Sequence, residues 1–270
     1  MPSLDARLEL ANRIARQSAD ITLKYFLTDR FDVESKPDGS PLTIADRQTE
    51  QFLRDQIAAQ FPEDGIVGEE FGITIGKNSI RWILDPIDGT KSFIRGVPLF
   101  GTMVGIEVDG QAVIGSLYFP GLREGIYACR GRGAWHFQGD QEPVRARVSN
   151  RKALSESVLV TSEVEGFAAR NADRVYSELA RSVYFCRTWG DAYGYLLVAT
   201  GRVEIMIDAI LSVWDAAAVQ PIIEEAGGRF TDWQGQPRID GGDAIGTNGH
   251  VHDSVLALIE QSGLPRHPID

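Results

Sequence analysis

Apolar positions Leu8, Ala11, Ile14, Ala15, Ala19, Leu23 and Phe26 recur at helical spacing with polar residues between them, and predict a helix over residues 4–26. A turn follows at residues 36–41, where Pro37, Gly39 and Pro41 cluster. A second helix is predicted over residues 42–61, stopped by Pro62. From residue 66 to 137 the texture changes to short strands. Residues 102–108 and 111–118, joined by Asp109-Gly110, carry a strong hairpin signal. Residues 124–129 and 134–137 continue that sheet. A polar joint at 145–155 leads to a strand at 158–161, helices near 168–180, 192–200 and 216–226, and a strand at 203–207. The expected organisation is α+β, with helices over an antiparallel sheet in residues 1–150 and a mixed α/β half in 151–270. The two form one compact unit with a cleft between them.

The run Trp82-Ile83-Leu84-Asp85-Pro86-Ile87-Asp88-Gly89-Thr90 interrupts this pattern informatively. Its apolar residues read as the end of a buried strand, and the polar residues after them have no packing purpose. Pro86 fixes φ, so Asp85 and Asp88 can point at one place, and Gly89 lets the backbone approach a ligand. Two carboxylates held together repel unless a cation lies between them, and hard oxygen ligands suit Mg²⁺. The amides of Gly89 and Thr90, at the start of a short helix through Phe93, would face an anion. A second strand, Ile66-Val67-Gly68, ends in Glu69 and Glu70, and Asp215 opens an apolar helix after Val213-Trp214. Each has a structural alternative: a solvated turn for the glutamates, an Asx turn for Asp85, a helix cap for Asp215.

In combination, Gly68-Glu69-Glu70, Asp85-Pro86-Ile87-Asp88-Gly89-Thr90 and Trp214-Asp215-Ala216-Ala217 resemble the signature set of the inositol monophosphatase superfamily. Ser40-Pro41-Leu42-Thr43-Ile44-Ala45-Asp46 and Glu225-Ala226-Gly227-Gly228 extend the resemblance over nearly the whole chain. It implies a layered α-β-α-β-α sandwich and hydrolysis of small phosphate monoesters with two to three Mg²⁺ ions. By resemblance, Asp85 bridges two ions, Glu69 and the Ile87 carbonyl complete one site, and Asp88 and Asp215 complete the other. A third, weaker ion lies near Glu69. Thr90, with Asp46 behind it, matches the pair that orients and deprotonates the attacking water, while Glu70 shapes the surroundings. Asp88, Gly89, Thr90 and Asp215 would also touch the substrate, and homodimers are common in the family.

The segment Trp189-Gly190-Asp191-Ala192-Tyr193-Gly194-Tyr195 occupies the family region that meets the non-phosphate part of the substrate, and resembles the histidinol-phosphatase branch. Inositol-directed members carry a small neutral residue at the place of Asp191, and Asp208 stands where a substrate-facing acid is usual. Two carboxylates there favour a cationic alcohol, with Trp189, Tyr193 and Tyr195 as candidates to flank it. Asp191 is equally well placed to cap the helix after it. L-histidinol phosphate leads, followed by inositol 1-phosphate and related polyol phosphates. A protein-partner role is the non-enzyme alternative.

The chain has 270 residues, 43% of them hydrophobic and 24% charged, with a formal net charge of −11. That balance argues against a nucleic-acid or anionic-membrane surface, although bound metal inverts the sign of the site locally. Two cysteines without ligand spacing suggest reduced thiols and a cytoplasmic location. The start Met-Pro-Ser-Leu-Asp shows no basic or long apolar leader. The four histidines match none of the motifs, and a surface or loop position is expected for each. The hairpin face over residues 100–119 offers either a dimer surface or internal packing.

Overall fold

A computed structural model describes residues 4–28, 33–35 and 41–263. The predicted turn at 36–40, Ser40 of the first motif and His267 lie outside them. An eight-stranded sheet is built in the spatial order Val144–Arg145, Gly133–Gln138, Glu124–Cys129, Gln111–Phe119, Gly101–Val108, Ile80–Asp88, Gly65–Gly68, Gly72–Thr74. All its neighbours are antiparallel except Gly65–Gly68 beside Ile80–Asp88, which run parallel. A five-stranded mixed sheet runs Phe185–Arg187, Val158–Val160, Ile205–Asp208, Ala244–Thr247, Arg229–Thr231.

Helices Leu4–Gln17 and Ile44–Gln60 cover one face of the large sheet, with Leu10, Ile14, Leu53, Ile57 and Trp82 at the centre of that core. Helices Ala192–Ala199 and Val213–Glu225 lie between the two sheets. Helices Asp173–Ser182 and His252–Gln261 cover the far face of the small sheet. The result is the five-layered α-β-α-β-α sandwich. No helix among the described residues is long and apolar enough to cross a membrane.

The turn Asp109-Gly110 has positive φ at both residues (52° and 81°), as a two-residue hairpin connection requires. The hairpin is buried on both faces, with Phe100 and Phe119 inaccessible to solvent, so internal packing takes the surface that was the alternative for a dimer. The predicted helix over 4–26 divides into Leu4–Gln17 and Ala19–Tyr25. At the break, Ser18 Oγ lies 2.8 Å from both the Ala15 carbonyl and Thr102 Oγ1, and Thr102 Oγ1 donates to the Pro86 carbonyl at 2.8 Å. The helix near 168–180 likewise divides, into Glu165–Ala169 and Asp173–Ser182, around Asn171 at φ 57°. Strands Phe185–Arg187, Arg229–Thr231 and Ala244–Thr247 and helix His252–Gln261 were not anticipated.

Two contacts fix how the layers meet. Gly105 and Gly115 face each other across their strands. A Cβ on Gly115 would lie 1.9 Å from the Ala218 carbonyl oxygen, and one on Gly105 2.8 Å from the Ala217 Cβ. The helix carrying Asp215 therefore rests directly on sheet backbone. Across the other face, buried Arg7 donates from Nε and Nη2 to the Asp64 carboxylate, both at 2.7 Å, and Trp82 Nε1 adds a third bond at 2.9 Å.

His252 departs from the expected surface position: it is fully buried at a helix start. His136 is also no loop residue, lying in a strand with Nε2 2.7 Å from Glu124. Thr231 Oγ1 donates to the Asp232 carbonyl, so it must accept from His252 Nε2–H at 2.9 Å. His252 Nδ1 then accepts from the Thr247 hydroxyl at 3.0 Å. A second ring proton would take from that hydroxyl its acceptor, and burial, followed by the Arg229 charge, lowers the pKa from 6.5 to about 4. Between those two values the unfolded chain binds a proton that the native state refuses, so stability falls as pH drops through the window, by about 3 kcal/mol in all. The Tm advantage of the wild type over His252→Gln should shrink as pH is lowered from 6.5 to 4; a constant difference would refute the neutral buried ring. Gly115→Ala should lower Tm through overpacking worth about 1–3 kcal/mol and weaken cation binding, because it displaces the helix that carries Asp215; thermal melts and calorimetry check both.

Candidate active site

Residues three apart on a regular strand point to opposite faces. Between Asp85 and Asp88 the pairing with Gly101–Val108 shifts register, and this irregularity around Pro86 turns both carboxylates to one side. Thr102, propped by Ser18, holds the Pro86 carbonyl in that bend. Asp215 arrives from the first turn of helix Val213–Glu225. Its Oδ2 accepts from Ser212 N at 2.9 Å in a capping box, so the carboxylate is oriented by the helix it helps to start. The cap reading of Asp215 is thus observed, and capping leaves its carboxylate beside Asp85 and Asp88.

One ligand oxygen each from Asp85, Asp88 and Asp215 lies within 4.8 Å of the others. Asp85 Oδ1 is buried without a hydrogen-bond partner, a costly state for a charged atom. Glu69 lines the same cleft and raises the Asp85 pKa by its charge. Burial first, then the neighbouring carboxylates, push Asp85 and Asp88 well above the usual range. Burial pushes Asp215 up to about 7. An all-oxygen donor set, an orphaned buried oxygen and mutual repulsion together fit a hard divalent cation.

The cleft has a volume of about 690 Å³. Glu69, Asp85, Ile87, Asp88, Gly89, Thr90, Asp191, Asp208 and Asp215 all line it, so most residues singled out from the sequence converge. Gly89, at φ 75° and ψ 38°, precedes helix Thr90–Ile94. A Cβ there would meet the Leu99 carbonyl at 2.7 Å and Asp191 Oδ2 at 3.1 Å. Glycine is therefore needed for its backbone conformation and for the room it leaves Asp191.

Thr90 Oγ1 donates to the Ile87 carbonyl at 2.9 Å, and Asp46 accepts from Thr43 N at 2.7 Å and Thr43 Oγ1 at 2.6 Å, completing the capping box of helix Ile44–Gln60. Asp46 is not among the described residues lining the cleft. Glu70 is not among them either; its amide is held by Glu50 Oε2 at 2.7 Å.

Asp191 occupies the N-cap position of helix Ala192–Ala199, but its side chain makes no capping bond. Its φ of 50° and ψ of −155° fall in a region that is nearly glycine-only, which costs about 1–3 kcal/mol. The strained backbone is pinned by Asp191 N donating to Ser162 Oγ at 2.9 Å and Ala192 N donating to Asp88 Oδ2 at 2.8 Å. Burial, with repulsion from Asp208 and Glu163, raises the Asp191 pKa to about 7. Asp208, by contrast, is buried and occupied: Tyr195 donates to it at 2.9 Å and Ser162 N at 3.1 Å. Of the three aromatic candidates Tyr195 lines the cleft, while Tyr193 packs on Phe119 and donates to Glu124, and Trp189 packs on Phe185.

Sequence reading missed Glu50. Mid-helix it looks like a solvent-facing charge, yet it is fully buried and accepts from the amides of Glu70 and Phe71 and from Arg54 Nε. A Cβ on Gly68 would lie 2.0 Å from Glu50 Oε1. Gly68 therefore admits the buried carboxylate that sets the loop bearing Glu69. Ser162, Glu163 and Lys91 were also missed, being single polar residues without a motif.

Residues 3–264 match the model of the inositol monophosphatase family. A histidinol-phosphatase of Chlorobaculum parvum is 42% identical over 253 residues, covering 93% of this chain and 96% of that protein. One of Mycobacterium tuberculosis is 37% identical, covering 93% and 97%. The crystal structure of the extragenic suppressor protein SuhB from Bartonella henselae superposes with a TM-score of 0.86 at 27% identity, covering 95% of this chain and 99% of that one. The chain is a phosphoric monoester hydrolase and belongs to the inositol monophosphatase family.

Proposed function

We propose that this phosphatase is Mg²⁺-dependent and acts on L-histidinol phosphate, releasing L-histidinol and phosphate. The observation that carries the substrate reading is Asp191: a strained carboxylate beside Gly89 that does not cap its helix. Strain of this kind persists where the surroundings enforce it, and is typical of ligand sites. Histidinol carries an ammonium group and an imidazole, so its cationic leaving group would meet Asp191 where a polyol would meet an unpaired charge. The similarity to histidinol-phosphatases supports the same reading. Such a role fits a cytoplasmic biosynthetic enzyme.

Glu69, Asp85, the Ile87 carbonyl, Asp88 and Asp215 would hold the ions. Bound Mg²⁺ would supply Lewis acidity toward phosphate and lower the pKa of the attacking water. The chain's own groups do the remaining work. The N–H groups of Gly89 and Thr90 hold phosphate oxygens as charge develops. The Thr90 hydroxyl, which donates to the Ile87 carbonyl here, would turn from it to orient the water, with Asp46 behind it as the acceptor of the proton. Asp88 holds the Ala192 amide, so the helix that presents Asp191 is registered against the metal side of the cleft.

Asp88→Asn should reduce kcat/KM by roughly two orders of magnitude or more, with an unchanged far-ultraviolet spectrum and weakened Mg²⁺ binding by calorimetry. Wild-type turnover in that variant would remove the metal assignment. The wild type should prefer L-histidinol phosphate over inositol 1-phosphate by roughly a hundredfold in kcat/KM, about 2.7 kcal/mol. Asp191→Asn should raise KM for the cationic ester about tenfold and for the polyol ester far less; equal effects on both would leave Asp191 a structural residue.

A further inference from the structure

Asp208 is committed to Tyr195 and Ser162, so a second carboxylate for a cationic leaving group must be sought elsewhere in the cleft. Glu163 is placed for it. It lines the same cleft as Asp191, on the segment that carries Ser162, and its charge acts directly on Asp191. Its side chain is 43% exposed, so it is open to a ligand. Among the described residues lining the cleft, Lys91 is the one cation, against three carboxylates on the leaving-group side and four on the metal side. Lys91 Nζ bonds Glu163 Oε1, joining helix Thr90–Ile94 to a loop 72 residues later across the cleft mouth.

We infer that Glu163 is a specificity-determining residue that binds the ammonium of the substrate, and that Lys91 occupies this subsite in the free enzyme as a resident cation which the substrate displaces. This rests on the reading of the enzyme as a phosphatase of cationic esters. Lys91 and Glu163 are 64% and 43% exposed, and exposed pairs are weak enough for an incoming ammonium to exchange with them at a cost of at most about fivefold in affinity. A neutral ester has nothing to offer Glu163 and leaves the pair closed. Discrimination then arises because the substrate ammonium takes over Glu163 and releases Lys91, which is 64% exposed, to solvent, whereas a neutral ester makes no such exchange.

Opposite responses of the two partners test this. The probes are 3-aminopropyl phosphate and propyl phosphate, which differ in one ammonium, and the quantity read is the ratio of their kcat/KM values. Glu163→Gln should lower the ratio about tenfold, through KM. Lys91→Gln should raise it about two- to fivefold, because the competitor is gone. Lys77→Gln, which breaks the exposed Lys77–Glu63 pair remote from the cleft, should leave it unchanged. A purely structural strap would move both cleft variants in the same direction, and a phosphate-binding Lys91 would depress both esters without raising the ratio; either result overturns the proposal, as does a wild-type ratio of one. If L-histidinol phosphate is not preferred but the ratios shift as stated, the histidinol reading fails and the ammonium subsite stands.

Discussion

Everything around the cleft answers to the repulsion among Asp85, Asp88 and Asp215. With ligand oxygens within 4.8 Å of one another, each ionised pair costs about 3 kcal/mol even at an effective dielectric constant of 20. A folded chain holds such a cluster only if several rigid elements prevent it from relaxing. The bend at Pro86 turns two of the carboxylates inward, and Thr102 with Ser18 holds that bend. The third rides on a helix pressed against glycine backbone at Gly105 and Gly115. The stability forgone here would be regained on binding a cation, since an ion relieves a penalty already present in the fold.

The same economy of position governs the glutamate side. Gly68 is small so that Glu50 can sit beneath it, and Glu50 fixes the amides of Glu70 and Phe71 just beyond Glu69. Glu50 is itself neutralised by Arg54, whose guanidinium also reaches the Gly72 carbonyl. A buried carboxylate with an arginine partner and two amide donors is fully satisfied, unlike Asp85. The contrast separates carboxylates that build the frame from those that wait for a ligand.

The metal-side residues were legible in the sequence because each breaks an apolar run at the point where a strand ends or a helix begins. Asp85, Asp88 and Asp215 could be found that way, and the hairpin was announced by Asp109-Gly110. Glu50 and Glu163 could not, since a charged residue in a helix or loop reads as solvent-facing until the fold shows what lies over it. His252 was misread for a related reason: its partners Thr231 and Thr247 lie on separate strands, and nothing local signals that they close around the ring. The split of the first helix at Ser18 depends on Thr102, 84 residues away. Local patterning reports chemistry that interrupts packing; it is silent on polar groups that packing itself satisfies.

The two sides of the cleft have different structural origins. Asp85, Asp88 and Glu69 come from the large sheet, and Asp215 from a helix lying on it. Asp191, Asp208 and Glu163 come from loops and a strand end of the small sheet. On the proposed reading, a change on the second side would alter which alcohol is accepted, and it would reach the metal side where Ala192 N is bonded to Asp88. Gly89 is the matching point on the other side, because a Cβ there would strike the Leu99 carbonyl and crowd Asp191 Oδ2. The two sides therefore meet through a backbone hydrogen bond, the close approach at Gly89 and the charges of Asp191 and Asp208 acting on Asp88. The strained φ of Asp191 is held by bonds on both of its flanks, Asp191 N to Ser162 and Ala192 N to Asp88, and its carboxylate lies over Gly89.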